Sequence, residues 1–362
     1  MFSLHVLAIP HTSTSEMHSG CAYTQKVFKF LKMFNDKKDF EVHHYGNSSS
    51  DKFTNIIHHD IITDEEIIEC TGKYNWENQY YRHNINDKTH LMFNERAWKC
   101  VKDNLNKDKI NFLLCFWGKG HQIAADKLSS EVFVIEPGIG YDNFFAPFCV
   151  FESYAWMSYL YGSQNQRPRW YDKVIPNYFD DKDFIQSTNK DDYFLFLGRL
   201  CEDKGLHIAI QACRFLNKKL VVAGQGSIDW LSKEDQKYIE FIGFVGKEQK
   251  AEILSKAKAT IMPSLYLEPF GGVMAESFLS GTPVIAPDWG SFSENNLNSV
   301  TGFNFKTFKE LIRSIENIDM IDNKKCIDYA TSKFTLPVVS KSYENYFNEL
   351  SLLTSKNGWY SL

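Results

Sequence analysis

Short apolar runs alternate with amphipathic stretches along most of the chain, and this alternation restricts the fold more than any other feature of the sequence. In the first half, a strand-like run at residues 4–9 is followed by a helical pattern at residues 25–34. In the second half, residues 193–197 and 220–223 have the pattern of strands on either side of a helical stretch at 206–216. Strands that alternate with helices predict parallel βαβ units. We therefore expect an α/β protein built from two doubly wound, Rossmann-like domains.

The boundary between these domains is expected near residues 174–183, where Pro176 ends a regular element and polar residues follow. A chain of 362 residues has about the length of two ordinary domains. The predicted domains are residues 1–178 and 179–336. Because ligands of open parallel sheets bind at the carboxyl ends of the strands, we expect a site in a central cleft that the two domains face.

The composition excludes several classes of protein. Hydrophobic residues make up 43% of the chain and charged residues 23%, which is typical of a globular protein. The 40 basic and 45 acidic side chains give a net charge of −5, so no overall field attracts nucleic acid or an anionic membrane. The eight cysteines are scattered without a C-x-x-C pair, which predicts free thiols, no metal site and a cytoplasmic location. The apolar N-terminal residues include His5 and Pro10, so we interpret them as a strand and expect no transmembrane segment.

Residues 266–286 have the pattern of a loop, a helix and a following strand. Gly271 and Gly272 stand where the helix should begin, and their small size lets a ligand approach free backbone amides. Glu268 precedes the helix and Glu276 lies about a turn and a half inside it. Two carboxylates at such a junction can accept hydrogen bonds from neighbouring hydroxyl groups, as a ribose and a hexose present them. Taken alone, the segment is explained as well by a glycine-capped helix with two solvated glutamates as by a binding site.

A second segment places cations after a buried strand. Gly198 and Arg199 directly follow the strand-like residues 194–197, and Lys204 comes five residues after Arg199, near the start of the next helix. Cations beside free helix amides suit a diphosphate. A lone Arg or Lys at this place is more often surface charge, but its occurrence together with the glutamate segment favours a binding site.

Together these residues resemble the retaining glycosyltransferases of family 4, which have the GT-B fold. Glu268 and Glu276 match the family's E-x7-E element, and Arg199 and Lys204 match its phosphate-binding pair. Residues 221–226 are similar to its strand and glycine turn. The end of the next predicted strand is similar to the segment that binds the nucleotide base, and it comprises Gly243, Phe244 and Val245. The resemblance extends from about residue 174 to residue 305.

The resemblance implies a reaction and a set of roles. The enzyme would move a sugar from a UDP- or GDP-linked donor to a hydroxyl group of a glycan or other acceptor, with retention of configuration and without a metal ion or another cofactor. Arg199 and Lys204 would face the diphosphate, Glu268 the transferred sugar and Glu276 the ribose; the first three would be catalytic. The implied donor contacts also include Gly20, Gly198, Gly243, Phe244, Val245, Pro269, Phe270, Gly271 and Gly272.

In the first half the likeness is mostly topological. Gly20 follows the first strand and resembles the family's glycine loop beside the donor diphosphate. The family often has a histidine near the reacting sugar after a later strand, and here Glu136 stands in that position, with Tyr141 close behind it. His121, from a neighbouring loop, is an alternative, although a lone histidine at a helix start is more often a cap. The resemblance also implies that residues 337–362 form a helix that packs back on the first domain.

Two other functions fit the same residues, and one aromatic segment has two interpretations. Some GT-B enzymes transfer a sugar to a modified base in DNA, and a catalytically silent protein could bind a nucleotide sugar as a scaffold subunit. Residues 144–161 are rich in aromatic side chains that could stack on a sugar, but packing in the core is favoured. The base, the sugar and the acceptor depend on the shape of the pocket rather than on these motifs.

Overall fold

Two separate parallel sheets organise the chain in the computed structural model, which describes residues 2–18, 20–73, 84–354 and 358. The strands of the first sheet are β1 (Phe2–Leu7), β2 (Phe40–Asn47), β3 (Ile56–Ile62), β4 (Ile110–Cys115), β5 (Phe133–Ile139), β6 (Phe148–Phe151) and β7 (Lys173–Val174). The helices of this domain are α1 (Ala22–Phe34), α2 (Asp64–Thr71), α3 (Lys88–Asp103), α4 (Gln122–Leu128) and α5 (Tyr154–Ser163). The strand order is β3-β2-β1-β4-β5-β6-β7.

The second sheet has six strands in the order β10-β9-β8-β11-β12-β13. Its strands are β8 (Phe194–Leu197), β9 (Leu220–Ala223), β10 (Ile239–Gly243), β11 (Ala259–Ile261), β12 (Val284–Pro287) and β13 (Gly302–Phe305). The helices that follow β8 are α6 (Leu206–Phe215), α7 (Lys247–Lys256), α8 (Gly272–Leu279), α9 (Gly290–Asn295), α10 (Phe308–Glu316), α11 (Asn323–Phe334) and α12 (Leu336–Leu353). Short 3₁₀ helices lie at Gly118–His121, Asp181–Asp183, Glu202–Lys204, Asp235–Tyr238 and Ile318–Met320.

Both sheets have the doubly wound topology that the alternating sequence pattern predicts. The paired strands are parallel throughout, and the strand order reverses between β1 and β4 in the first sheet and between β8 and β11 in the second. The central strand β1 is buried on both faces, and its polar residues Ser3 and His5 are as fully buried as its apolar ones. The prediction of two Rossmann-like α/β domains is therefore confirmed, and the crevice at each point of reversal is where such sheets bind ligands.

The C-terminal helix α12 packs on the first domain, although it follows the second in sequence. Its buried side chains recur at helical spacing and include Val339, Tyr343 and Phe347. The Phe347 ring lies 5.0 Å from the ring of Phe112 in β4, and the Tyr343 ring lies 5.4 Å from Phe30 in α1, measured between centroids. These contacts join the last helix to the core of the first domain. Of the predicted helix 337–362, residues 355–357 and 359–362 lie outside the described residues, as does Ser19 beside Gly20.

No helix within the described part of the chain is both long enough and apolar enough to cross a membrane. The longest, α12, has 18 residues, and its sequence includes a lysine and two glutamates. Its apolar side chains instead meet those of α1 and β4 in the core of the first domain.

Five histidines cluster on the three strands at one edge of the first sheet. The rings of His5 and His43 stack with centroids 4.9 Å apart, and His43 Nδ1 lies 3.0 Å from His59 Nε2. A second pair joins His44 Nδ1 to His58 Nδ1 at 2.9 Å. Burial lowers the pKa of His5 to about 4, and it lowers the pKa of the other four as well. Burial therefore favours the neutral form of these five histidines in the folded protein.

Lowering the pH from 7 to 5 should reduce the free energy of unfolding. The unfolded chain takes up protons on these histidines near pH 6.5, whereas the folded chain does not. Stability is thus fully present above that pH and declines as the pH falls toward the folded-state pKa of His5, about 4. For His5 the complete loss would be about 3 kcal/mol. Chemical denaturation at several pH values measures the slope, which His5→Asn should make shallower; equal slopes would contradict this explanation.

Candidate active site

The carboxyl ends of the two sheets border one cleft between the domains, with a volume of about 680 Å³. Helix α1 and the loops after β1, β4, β5 and β6 form the first-domain wall, and the loops after β8, β10 and β11 form the second-domain wall. The N-terminal turns of α8 complete the second wall. The loops that contain most of the predicted donor-binding and catalytic residues thus lie around this one cleft.

Glu268 and Lys204 form an ion pair in the second-domain wall. Lys204 Nζ lies 2.5 Å from Glu268 Oε1, and the two side chains are only 18% and 6% exposed. Ser264 Oγ donates a hydrogen bond to the same carboxylate oxygen at 2.7 Å. The 3₁₀ turn that contains Lys204 ends at Gly205, which has φ of 71° and whose missing Cβ would lie 2.1 Å from the carbonyl oxygen of Pro263. The fold thereby holds a cation and a hydrogen-bond-accepting carboxylate side by side.

Arg199 stands beside this ion pair. Its guanidinium and the Glu268 carboxylate both interact with the Tyr266 hydroxyl, whose pKa is raised chiefly by burial. The Lys204 ammonium lies 4.9 Å from the centroid of the Tyr266 ring. Gly198, which begins the turn after β8, has φ of 153°. The end of β8 and the loop before α8 therefore bring Arg199, Lys204, Tyr266 and Glu268 together.

The N-terminus of α8 faces the cleft without a side-chain cap. Its N-cap residue, Gly271, has φ of 84° and has no side chain that could accept a hydrogen bond from the first amides. A Cβ at Gly271 would lie 2.7 Å from the ring of Phe292, so the position requires glycine. The first turn of a helix presents free N–H groups and a partial positive charge. This end of α8 can therefore bind an anion, with Arg199 and Lys204 in the same cleft.

Glu276 lies further along α8 and pairs with a lysine of α7. Lys250 Nζ is 2.6 Å from Glu276 Oε1, and the Glu276 side chain is 12% exposed. Lys29 of α1 approaches from the other domain, with its ammonium 4.4 Å from the centroid of the Phe179 ring. Burial lowers the pKa of Lys29 to about 8, and the Glu276 carboxylate opposes that shift. The second carboxylate of the cleft is thus surrounded by cations from both domains.

Most of the other predicted donor contacts also line the cleft. Gly243 is the exception: it is not part of the wall, but with φ of 77° it turns the chain so that Phe244 and Val245 reach the cleft. The residues of the predicted donor set that line the cleft are Gly20, Gly198, Arg199, Lys204, Phe244, Val245, Glu268, Pro269, Phe270, Gly271, Gly272 and Glu276. Their roles toward a ligand stay predictions.

The structure does not bring Glu136, Tyr141 or His121 to the wall of the cleft. Glu136 is fully buried and accepts hydrogen bonds from two backbone amides of the following loop, each at 2.7 Å, and from the Tyr141 hydroxyl at 3.0 Å. Burial raises its pKa to about 7, although these hydrogen bonds favour the carboxylate. His121 is also fully buried, with Nε2 2.9 Å from the carbonyl oxygen of Ala8. The proposed acceptor-side residues instead fasten loops of the first domain together.

Sequence reasoning missed the side chains that form the first-domain wall, which include His11, Tyr23, Lys26, Trp117 and Glu152. Lys26 Nζ forms an ion pair with Glu152 and donates a hydrogen bond to a backbone carbonyl at 2.6 Å. A signal for Lys26 existed, because it lies on the predicted helix just after the Gly20 loop. Glu152 stands within the aromatic stretch 144–161, whose Phe144, Phe151 and Tyr161 pack in an apolar cluster as favoured. Because its neighbours in the sequence are core aromatic residues, Glu152 was not recognised as a residue of the site.

Metal-ligand clusters are not found in residues 2–18, 20–73, 84–354 and 358, where no three His, Cys, Asp or Glu side chains are arranged to hold an ion. The positive groups beside the start of α8 include the side chains of Arg199 and Lys204 and the free amides of the helix itself. Independence from a metal ion stays a prediction.

Comparison with known proteins identifies the second domain most clearly. Residues 178–333 match the family model described as glycosyl transferases group 1, which covers less than half of the chain. Glycogen synthase from Mycobacterium tuberculosis is 34% identical over 119 residues, which are 30% of this chain and 28% of that protein. The chain therefore spans less than a third of the length of this curated relative.

Solved structures resemble the chain over nearly its whole length. AviGT4, a glycosyltransferase involved in avilamycin A biosynthesis, superposes with a TM-score of 0.70 at 16% identity and covers 96% of this chain and 97% of its own. HepE from Anabaena, solved in complex with UDP and glucose, gives a TM-score of 0.65 at 15% identity over 95% of this chain and 99% of its own. At such low identity the likeness concerns the fold alone. It confirms the predicted GT-B fold.

Gly271→Ala should lower the free energy of unfolding by at least about 2 kcal/mol, because alanine is strained at φ of 84° and its Cβ would meet the Phe292 ring. Gly272→Ala is the matched control, since its Cβ would have no heavy atom closer than 3.8 Å. That change should alter stability by no more than about 1 kcal/mol. Chemical denaturation of the two variants measures the difference, and equal effects would contradict the assigned geometry.

Proposed function

We propose that this protein is a retaining, metal-independent glycosyltransferase that moves a sugar from a nucleoside-diphosphate donor to a hydroxyl group. The observation that carries the proposal is the arrangement of Arg199, Lys204, Glu268 and Glu276 around the uncapped N-terminus of α8. The cations and helix amides suit a diphosphate, and the carboxylates suit the hydroxyl groups at its two ends. Few ligands other than a nucleotide sugar carry those groups in that order.

The diphosphate would lie at the N-terminus of α8, beside Arg199 and Lys204. Lys204 now pairs with Glu268, so the diphosphate would take over as its partner when the donor binds. As the bond to the sugar breaks, negative charge develops on the departing phosphate. Preorganised cations and amides stabilise such charge without rearrangement, which is the electrostatic task that a metal ion performs in other transferases.

The two carboxylates would bind hydroxyl groups on opposite sides of the diphosphate. Glu276 lies five residues along α8 from Gly271, a rise of about 7.5 Å, which suits the step from a phosphate to a ribose. Glu268 lies before the helix and is held by Ser264 as well as Lys204. Glu268 would therefore face the transferred sugar and Glu276 the nucleoside.

Three similarities support this proposal. The match to glycosyl transferases group 1 covers the segment that contains all four of these side chains. HepE, which shares the fold, binds UDP and glucose, so UDP-sugars are the first donors to test and GDP-sugars the second. Retention of configuration is inferred from the likeness to family 4, and the acceptor is inferred to be a hydroxyl compound such as a glycan.

Replacing Lys204 or Arg199 with Met should weaken binding of UDP or GDP about 10- to 100-fold, because each variant loses a charge-assisted contact with the diphosphate. Isothermal titration calorimetry measures the affinity. Lys256→Met is the control, since Lys256 lies on α7 and pairs with Glu252 on the exposed surface. Variants that bind as the wild type does, or a wild-type protein that binds neither nucleotide, would contradict the proposal.

Release of UDP or GDP from the sugar donor separates an enzyme from a silent nucleotide-sugar binder. A wild-type protein that binds the donor tightly but releases no nucleoside diphosphate, with or without sugar acceptors, would be the scaffold instead. For an active protein, NMR of the product reports the anomeric configuration directly. Inversion would overturn the assignment of retention while leaving donor binding intact.

Glu276→Gln should lose affinity for free UDP or GDP, whereas Glu268→Gln should mainly lose turnover of the intact donor. The reason is that Glu276 would contact the ribose, which both ligands contain, and Glu268 the sugar, which only the donor contains. Calorimetry with the nucleotide and a rate measurement with the nucleotide sugar distinguish the two. Equal losses of nucleotide affinity in both variants would refute this division of roles.

A further inference from the structure

Glu152, which directly follows β6, is a buried carboxylate in the first-domain wall of the cleft. Its side chain is 5% exposed, and Oε1 forms an ion pair with Lys26 of α1, whose side chain is 7% exposed. Asn177, in the segment that joins the two domains, donates a hydrogen bond to Oε2 at 3.0 Å. The carboxylate is therefore fixed by one partner on each oxygen.

Stability alone does not explain this ion pair. Removing two charges from water costs free energy that their attraction often fails to recover, and an apolar pair of similar volume is commonly as stable or more so. A carboxylate can accept about four hydrogen bonds, and the two partners named above use two of them. Lys26 also donates to the Gly138 carbonyl at 2.6 Å, which fixes the ammonium in turn. The arrangement leaves an oriented acceptor at the wall of the cleft.

Glu152 lines the same cleft as Arg199, a residue of the proposed diphosphate site. The carboxylate of Glu152 and the guanidinium of Arg199, one from each wall, both act on the Tyr23 hydroxyl. That hydroxyl donates to the carbonyl oxygen of Gly140 at 3.2 Å, and a Cβ at Gly140 would lie 2.7 Å from Glu152 Oε1. Glycine at that position thus keeps the approach to the carboxylate clear. Glu152 and Arg199 therefore line one cleft from opposite walls, with the Tyr23 hydroxyl in the electrostatic field of both.

We propose that Glu152 binds the acceptor: it accepts a hydrogen bond from the hydroxyl group to be glycosylated and directs its oxygen toward the anomeric carbon. This inference rests on the proposed glycosyltransferase function. Glu268 occupies the opposite wall for the donor sugar, so a hydroxyl group between the two carboxylates would belong to the acceptor. A carboxylate only accepts hydrogen bonds, so the reacting end of the acceptor would be an alcohol or sugar hydroxyl, which can donate one, rather than a phosphate dianion, which cannot.

The test uses Glu152→Gln in the full chain, with the donor that the wild type turns over fastest among UDP-glucose, UDP-N-acetylglucosamine and GDP-mannose. The rate of nucleoside diphosphate release is measured with water alone and with a mixture of methyl glycosides as acceptors. We expect the variant to release the nucleotide at least tenfold more slowly in both cases. Its affinity for the nucleotide and for the intact donor should stay within threefold of the wild-type values.

Two further variants separate acceptor binding from a structural role. Asp172→Asn changes another buried carboxylate of the first domain that lies outside the cleft, and it should leave the rate per folded molecule unchanged. The double variant Lys26→Met with Glu152→Leu removes the whole ion pair, so it should fold and bind nucleotide yet remain at least tenfold slower. Full recovery of the rate in the double variant would show that the pair is structural and would overturn the proposal.

Three other outcomes are equally decisive. A wild-type rate in Glu152→Gln would overturn the proposal while the glycosyltransferase function stands. A loss of affinity for the intact donor but not for the free nucleotide would assign the carboxylate to the donor sugar and overturn it as well. A wild-type protein that neither binds a nucleoside diphosphate nor releases one would instead refute the proposed function on which the inference rests.

Discussion

The site depends on the pairing of charged side chains in a cleft that is partly shielded from water. An unpaired charge removed from water costs several kcal/mol of desolvation free energy. Lys26 pairs with Glu152, Lys32 with Asp180, Lys204 with Glu268, Lys247 with Glu16 and Asp183, and Lys250 with Glu276. A ligand that contacts one of these side chains must therefore replace the ion-pair partner that the side chain has in the unliganded protein. An anionic group has to satisfy the released lysines while hydroxyl groups satisfy the released carboxylates. A nucleotide sugar combines both requirements, whereas a free phosphate or a plain sugar meets only one.

Charged side chains also join the two domains directly. Lys247 of the second domain forms an ion pair with Glu16 of the first. Glu294 of α9 accepts hydrogen bonds at 3.0 and 2.6 Å from the amides that begin α5 in the first domain. Leu267 packs against an apolar cluster of the first domain and immediately precedes Glu268 in the chain. The relative position of the domains therefore bears directly on the loop that holds the catalytic candidate Glu268.

The sequence predicted those parts of the structure that residues close together in the chain form among themselves. Uninterrupted apolar strands and the strand-glycine-helix junctions around Arg199 and Glu268 were recognisable, because residues close in sequence form each of them. Strand β3 was not recognisable, since His58, His59 and Asp60 interrupt the apolar run of this edge strand. The first-domain wall was also missed: Lys26 and Glu152 are 126 residues apart and meet only in the folded chain. Spacing in the sequence contains no signal for such a pair.

Glu136 and Glu152, which lie in strand β5 and directly after the neighbouring strand β6, show what decides which carboxylate reaches the cleft. Glu136 lies within β5, and the loop that follows folds back so that two of its amides occupy the carboxylate. Glu152 follows β6, where the chain enters α5 at once and the hydroxyl of Ser153 caps the helix, accepting a bond from its backbone at 3.1 Å. Glu152 takes its partners from elsewhere, and it finds Lys26 and Asn177 on elements that line the cleft. The carboxylate without amides of its own loop is thus the one held at the surface where a substrate hydroxyl can join its partners.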